Sequence, residues 1–258
     1  MHTDFRGFYG MTFELFLMKK YYKFIIKSFN KNKLITVYLI LRLFIFRKLS
    51  FLDKKYQKKY LEINGPISKF KSKGKYSQDW FSYNIKYISR IIYKFKLTDK
   101  KINVLEIGCY EGLSTVFFLT TLKNSNIYCV DPFLDFAENQ DKDFNIVFEN
   151  FKNNTKEFQT RVRLSKTTSD DFFKKNINEK FDLIYIDGNH HADNVLRDAT
   201  NSFKLVNKGG FIIFDDFLWN YYTEINLNPI GGIKTFLFEN FFDIKIISIG
   251  YQLIIQKK

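Results

Sequence analysis

Cysteine is nearly absent, with Cys109 and Cys129 the only two among 258 residues. Two thiols can build neither a disulfide framework nor a four-ligand zinc site, and they fit a reducing compartment. Histidine is almost as scarce, numbering three, of which His190 and His191 are adjacent. Long apolar runs are missing too. The best, Leu34–Phe46, carries Arg42 and is followed by Arg47 and Lys48. As a helix it spans about 20 Å, short of the roughly 20 residues that cross a bilayer. It starts late and lacks a small-residue cleavage site after it, so it is not a signal peptide either. The G-x-G-x-x-G of dinucleotide enzymes does not occur.

What is present is apolar mass and basic charge. An apolar fraction of 45% supports a core and excludes a disordered or fibrous chain. The net charge of +14 is a composite. Residues 1–100 hold 23 Lys+Arg against 6 Asp+Glu (+17), and residues 101–258 hold 18 against 21 (−3). A uniform Lys habit would have spread the excess evenly, so the chain has two parts: a basic helical extension, 1–75, and a main domain, 76–258.

In the first part, Thr12–Asn30 sets Phe13, Phe16, Leu17, Phe24 and Ile25 among lysines, which predicts an amphipathic helix. Leu34–Phe46 and the charged Asp53–Lys59 follow, then Gly65-Pro66 and the Lys-rich link Lys69–Lys75. These helices fit a cap on the main domain or on a second copy of it, as in a homo-oligomer. Apolar faces with Lys and Arg over residues 12–60 also fit peripheral contact with an anionic membrane at its cytoplasmic, inner face. Nucleic acid is the weakest partner, because the aromatics fall in helical apolar stripes that suit a core better than base stacking.

From Lys101 the pattern turns regular. Strand-like runs at Ile102–Ile107, Ile127–Val130, Val162–Leu164, Leu183–Ile186, Phe211–Phe214, Ile244–Ile249 and Gln252–Ile255 are separated by helical stretches, the last two joined near Gly250 as a hairpin. Alternation of this kind predicts an α/β fold, a seven-stranded, mostly parallel sheet with helices on both faces and an antiparallel C-terminal hairpin. In such sheets ligands bind beyond the carboxyl ends of the strands. After the first strand, Glu106-Ile-Gly108-Cys-Tyr-Glu111-Gly112 supplies a tight glycine turn at a helix start. The second strand ends at Asp131, where a carboxylate can accept from two ribose hydroxyls. An acidic glycine turn with an acid 20–25 residues on fits a nucleoside without phosphates.

V-L-E-I-G-C-Y-E-G followed by I-Y-C-V-D-P resembles the first two motifs of class I S-adenosylmethionine-dependent methyltransferases. Asp79-Trp80-Phe81-Ser82, the stretch Phe181–His190 and the stretch Lys208–Phe217 are similar to a bacterial branch of small O-methyltransferases, akin to catechol-type and macrolide-sugar enzymes. The likeness covers Tyr76–Lys258 and none of the first 70 residues. It implies a Rossmann-like methyltransferase fold, with Glu106, Gly108, Gly112 and Ser114 against the methionine end of S-adenosylmethionine. Asp131 would hold the ribose, and Ser169 with Asp170 would flank the adenine. Thr167 stands where the family often has glycine, and a helix N-cap is an equally good role for Ser169.

Asp187-Gly-Asn-His190 follows the fourth strand and Asp215-Asp216 the fifth. Methyl transfer from a sulfonium needs in-line geometry and a deprotonated or metal-bound nucleophile. Two routes follow: Asp187, Asp215 and Asp216 hold Mg²⁺, or His190 takes the proton with Asp187 orienting it. Trp219, Tyr221 and Tyr222 read as a flexible wall of an acceptor pocket or as core. Lys86, Arg90 and Lys94 read as a solvated helix face. The expectation is a cytoplasmic enzyme that methylates an oxygen of a small molecule or sugar. Its rivals are a membrane-peripheral accessory protein without turnover and a nucleic-acid methyltransferase. The last is weakened by I-D-G-N-H standing where an amino-methylating N-P-P-Y would be.

Overall fold

Short β-branched runs bounded by glycine turns form strands that bury both faces, and the intervening amphipathic stretches form the helices that cover them. The computed structural model describes residues 71–134, 142–175 and 178–258, together with 22–23, 25–27, 35–42, 45, 65 and 68–69. The strands are β1 (Asn103–Ile107), β2 (Asn126–Val130), β3 (Val162–Ser165), β4 (Phe181–Ile186), β5 (Val206–Phe214), β6 (Ile244–Ile249) and β7 (Leu253–Lys257). The helices are α1 (Ile85–Lys94), α2 (Leu113–Thr121), α3 (Phe144–Thr155), α4 (Ser169–Lys175), α5 (Ala192–Leu205) and α6 (Pro229–Glu239).

The sheet order is β3-β2-β1-β4-β5-β7-β6. Strands β1 to β5 pair in parallel, while β7 runs antiparallel to both β5 and β6. The expected hairpin is therefore present, with its second strand inserted between β5 and β6. Order reverses at β1, between β2 and β4, which opens a crevice above the carboxyl ends of these strands.

Alternation along each strand sends side chains to two cores. Leu105, Ile107, Ile184, Ile186, Ile212 and Phe214 face α4, α5 and α6. Val104, Leu183, Tyr185, Phe211 and Ile213 face α1, α2 and α3, where Phe81, Phe117 and Phe118 pack edge to face against Tyr185 or one another. Glu106 falls by its parity on this second face, beneath α2.

Strand β5 starts five residues before the expected Phe211. Its first half contains Gly209 and Gly210, and the pairing with β4 shifts between Phe181 and Leu183. A β-carbon on Gly210 would lie 2.9 Å from the Asp182 carbonyl, so the close approach of β4 requires glycine there.

The predicted helix over Thr12–Asn30 lies largely outside the described residues, where 22–23 and 25–27 are helical; Asp53–Lys59 lies wholly outside them. Residues 35–42 are helical, as are 71–73 in the expected link. Ile25, Ile35 and Leu39 are buried in the same cluster as β4, β5 and α6. The Arg42 guanidinium donates to the carbonyls of Ile246 and Ile247 on the outermost strand β6, at the point where its pairing with β7 slips. Among the described residues no helix is long and apolar enough to cross a membrane.

Candidate active site

The turn from β1 to α2 is built on three left-handed residues, Gly108 (φ 80°), Tyr110 (φ 46°) and Gly112 (φ 81°). Gly108 has no alternative: a β-carbon there would lie 2.0 Å from the carbonyl oxygen of Asp187. Asp131 holds the turn from the next strand. Its Oδ2 accepts from the N–H groups of Cys109 (3.0 Å) and Tyr110 (2.9 Å), and its Oδ1 from that of Phe133 (2.8 Å). A carboxylate has about four acceptor positions, and three of them are occupied by N–H groups of the turn and of Phe133. Burial raises the pKa of Asp131, against the lowering effect of those same backbone donors.

The crevice holds a cavity of about 270 Å³. Gly108, Ser114, Asp131, Ser169, Asp170, Asp187 and His190 all line it, so the turn, the first three strand ends and the β4 terminus meet in one space. Glu106 does not join them. It is fully buried, and its carboxylate takes hydrogen bonds from the hydroxyls of Ser114 and Thr115 (2.6 Å for the latter) at the start of α2. Burial pushes its pKa up to about 7 in spite of these donors. Ser169 opens α4, while Thr168 Oγ1 accepts from the Asp171 N–H, so the capping hydroxyl is the preceding residue's. Asp170 pairs with Arg197 Nε at 3.3 Å.

Beyond β4 and β5, Asp187, His190 and Asp216 present ligand atoms within 4.8 Å of one another. His190 Nε2 donates to Asp216 Oδ2 at 2.8 Å and stands 3.9 Å from Asp187 Oδ1. Asp216, rather than the expected Asp187, is thus the nearer partner of the imidazole. Burial alone would raise Asp216, but the hydrogen bond and charge of His190 outweigh it and hold its pKa below the ordinary value. Asp187 is pushed up to about 6, by burial first and then by the Asp216 charge, against the lowering effect of His190. Tyr185 donates to Asp187 Oδ2 at 3.3 Å.

Asp215 is the one expected metal ligand that the cluster omits. It is 5% exposed, and its Oδ1 receives Asn84 Nδ2 at 2.8 Å and the Gln252 amide. Burial, followed by the charges of Asp187 and Asp216, pushes its pKa well above the carboxylate range, and the retained proton can be donated to Asp187. Two carboxylates and an imidazole remain, a donor set that suits a divalent cation of the Mg²⁺ to Mn²⁺ kind.

A rack of rings stands beside this cluster. The Trp219 indole lies 4.6 Å from the His190 ring, and Tyr221 stacks on Trp219 at 5.3 Å and 13°. Tyr222 meets both edge-on. The loop that carries them is pinned rather than flexible. Asn228, fully buried, accepts from the N–H groups of Tyr221 and Tyr222 and donates to the carbonyls of Tyr222 and Glu224, at 2.8–3.0 Å.

Three contributors were missed in the sequence: Asn228, the pair Asn84 and Gln252 that holds Asp215, and Asp198. Asp198 carries the clearest signal, because an acid stands on the stripe Val195, Ala199, Ser202 of a predicted amphipathic helix.

Residues 105–217 match a family described as a methyltransferase domain. The uncharacterized protein R132 of Acanthamoeba polyphaga mimivirus is 31% identical over 120 residues, covering 44% of this chain and 50% of that protein. Among solved structures, the MycE methyltransferase of the mycinamycin biosynthetic pathway, in complex with Mg, SAH and mycinamycin VI, superposes with a TM-score of 0.54 at 15% identity, covering 77% of this chain and 54% of that one. The O-methyltransferase of Bacillus cereus in complex with SAH gives 0.51 at 15% identity, covering 85% and 100%. The strand order is that of a Rossmann-like methyltransferase fold, and the methyltransferase-domain match spans β1 to the end of β5 within it. The chain spans about half the length of R132 and of MycE.

Proposed function

We propose that this protein transfers the methyl group of S-adenosylmethionine to a hydroxyl oxygen of a small molecule or sugar. The observation that carries the reading is the single cavity that joins the Gly108–Gly112 turn, Asp131 and Ser169 to Asp187 and His190. A donor laid along the first three strand ends would bring its sulfonium to the residues able to receive a hydroxyl proton. The donor supplies an already activated methyl group, so the chain's own task is alignment and deprotonation.

In this reading the glycine turn and Ser114 contact the amino-acid end, and the Asp131 carboxylate accepts from a ribose hydroxyl. His190 accepts the acceptor's proton while Asp216 fixes its ring, a role worth about 10²–10⁴ in rate. Asp187, Asp216 and His190 also fit a divalent cation, which when bound would lower the pKa of the acceptor hydroxyl. The Mg and SAH named for MycE, and the SAH named for the Bacillus protein, accord with this assignment. Placement in the cytoplasm and peripheral contact of the basic extension with anionic lipid belong to the same proposal; sedimentation with anionic and neutral vesicles tests the contact.

Calorimetric titration with S-adenosylhomocysteine tests the donor assignment: binding is expected, and its absence refutes the reading. Turnover on an identified acceptor should stop with a chelator and return with Mg²⁺ if the cation route operates. Unchanged turnover in chelator leaves His190 alone as the proton acceptor, and His190→Ala then costs about 10²–10⁴.

A further inference from the structure

The β6 edge of the sheet gathers charges of one sign from three separate elements. Arg90 and Lys94 belong to the outer row of α1, Arg42 to the helical segment 35–42, and Lys245 to β6 itself. They are close enough to act on one another: burial first, then the charges of Arg90, Arg42 and Lys245, lower the pKa of Lys94. The carbonyls of Ile246 and Ile247 accept the hydrogen bonds of Arg42 without cancelling its charge. Among the described residues no carboxylate pairs with Arg42, Lys94 or Lys245. Asp243, two residues before Lys245, acts on Lys257 instead. Packed like charges repel, and an anion brought from outside would relieve them.

The same edge exposes apolar side chains. On the segment that carries Arg42, Val37, Leu41 and Ile45 recur every four residues and are 55%, 54% and 46% exposed, so one stripe of the helix faces outward uncovered. The opposite stripe, Ile35 and Leu39, is in the core. Tyr38 meets Phe241 edge-on at 6.0 Å, which seats the segment beside the turn before β6. The next ring in that turn, Phe242, is 86% exposed.

We propose that this edge is a docking surface for an anionic lipid bilayer, with Arg42, Arg90, Lys94 and Lys245 against the headgroups and Val37, Leu41, Ile45 and Phe242 in the acyl boundary. The inference gives the peripheral-contact reading above its surface, and it is independent of the methyl donor. A bilayer matches both halves of the patch, charge and apolar area together. A nucleic acid would pair with the cations and leave the apolar stripe in water. A second copy docked by two-fold symmetry would set one cationic cluster against another.

The test is sedimentation of the full chain with phosphatidylcholine vesicles made with and without phosphatidylserine. The wild type should pellet with the anionic vesicles and stay in solution with the neutral ones. Lys94→Gln with Lys245→Gln should weaken binding about 30-fold, the loss of two cations near a charged surface. Lys123→Gln with Lys175→Gln removes the same charge from exposed positions elsewhere and should cost a few-fold at most. Leu41→Ser should weaken binding about 10-fold. Circular-dichroism melts confirm that each variant is folded. If the patch pair and the control pair lose equally, the surface is overturned while contact through the rest of the extension stands. If Leu41→Ser binds as the wild type does, the site takes a polyanion by charge alone and the bilayer is overturned as its occupant. If sedimentation velocity shows a dimer that the patch pair abolishes, a second copy is the occupant and the proposal falls. If the wild type ignores anionic vesicles, the surface and the peripheral contact fall together, and calorimetry with S-adenosylhomocysteine still decides the donor reading.

Discussion

Replacing Gly108 by alanine tests the crevice at its tightest point. Two costs arise. The residue sits at φ 80°, in the left-handed region, where an L side chain costs about 1–2 kcal/mol. The new β-carbon would also meet the Asp187 carbonyl oxygen at 2.0 Å and its carbon at 2.6 Å, both backbone atoms that no rotamer change can move. Relief requires the ends of β1 and β4 to separate by more than about 1 Å. That stretches the hydrogen bond from Asp187 N–H to the Ile107 carbonyl, now 2.8 Å, past useful length and forfeits about 1 kcal/mol or more. The total is about 2–3 kcal/mol or more, a fall in Tm of about 8 °C at this chain length. Gly209→Ala is the matched control, because φ is 79° there and a β-carbon would find nothing within 4 Å. It shares the backbone cost alone and should lose about 4 °C. Thermal melts by circular dichroism measure the pair. If the two variants melt within about 2 °C of each other, the close approach of β1 to β4 is not what fixes glycine at position 108.

Glu106→Gln should flatten the pH dependence of stability. The folded carboxyl titrates at about 7 against an ordinary value of 4.5, so its contribution is fully present below pH 4.5 and is lost as pH rises through 7. The wild type should therefore lose up to roughly 3 kcal/mol more than the variant between those limits, and urea midpoints that fall equally in both would refute it. Asn228→Ala removes four hydrogen bonds inside a buried loop, at about 2–4 kcal/mol. In a Trp80→Phe background its loss should redden Trp219 emission and speed proteolysis near Tyr221. Asp215→Leu should leave Asn84 and Gln252 without their shared acceptor and cost about 2–4 kcal/mol in chemical denaturation. Asp215→Asn, which keeps an acceptor oxygen, should cost less than half as much.

The strand plan was legible because parallel strands buried on both faces read as unbroken β-branched runs, and Ile127–Val130, Ile244–Ile249 and Val162–Leu164 lie within a residue of their observed limits. The front of β5 was not, since Lys208-Gly209-Gly210 has the chemistry of a turn and becomes strand only through pairing with β4. Site residues at strand ends were readable by position alone. Their orientations were not. Whether Glu106 points at a ligand or at α2 depends on the hydroxyls of Ser114 and Thr115 facing inward, which follows from the way α2 packs. Asp215 and Asp216 are neighbours in sequence, yet strand alternation turns one toward Asn84 and the other toward His190. No spacing rule tells them apart before the register of β5 is known.

The contact of Arg42 with β6 gives the basic extension a task that its charge does not suggest. An outermost strand is an invitation to other strands, and a slipped, isoleucine-rich one is a broad invitation. A side chain that occupies two of its carbonyls, backed by Ile35 and Leu39 against the core, closes that border to strangers. A chain shortened to begin at residue 76 would keep the whole crevice and lose this guard, so its weakness would show in company, as self-association that grows with concentration.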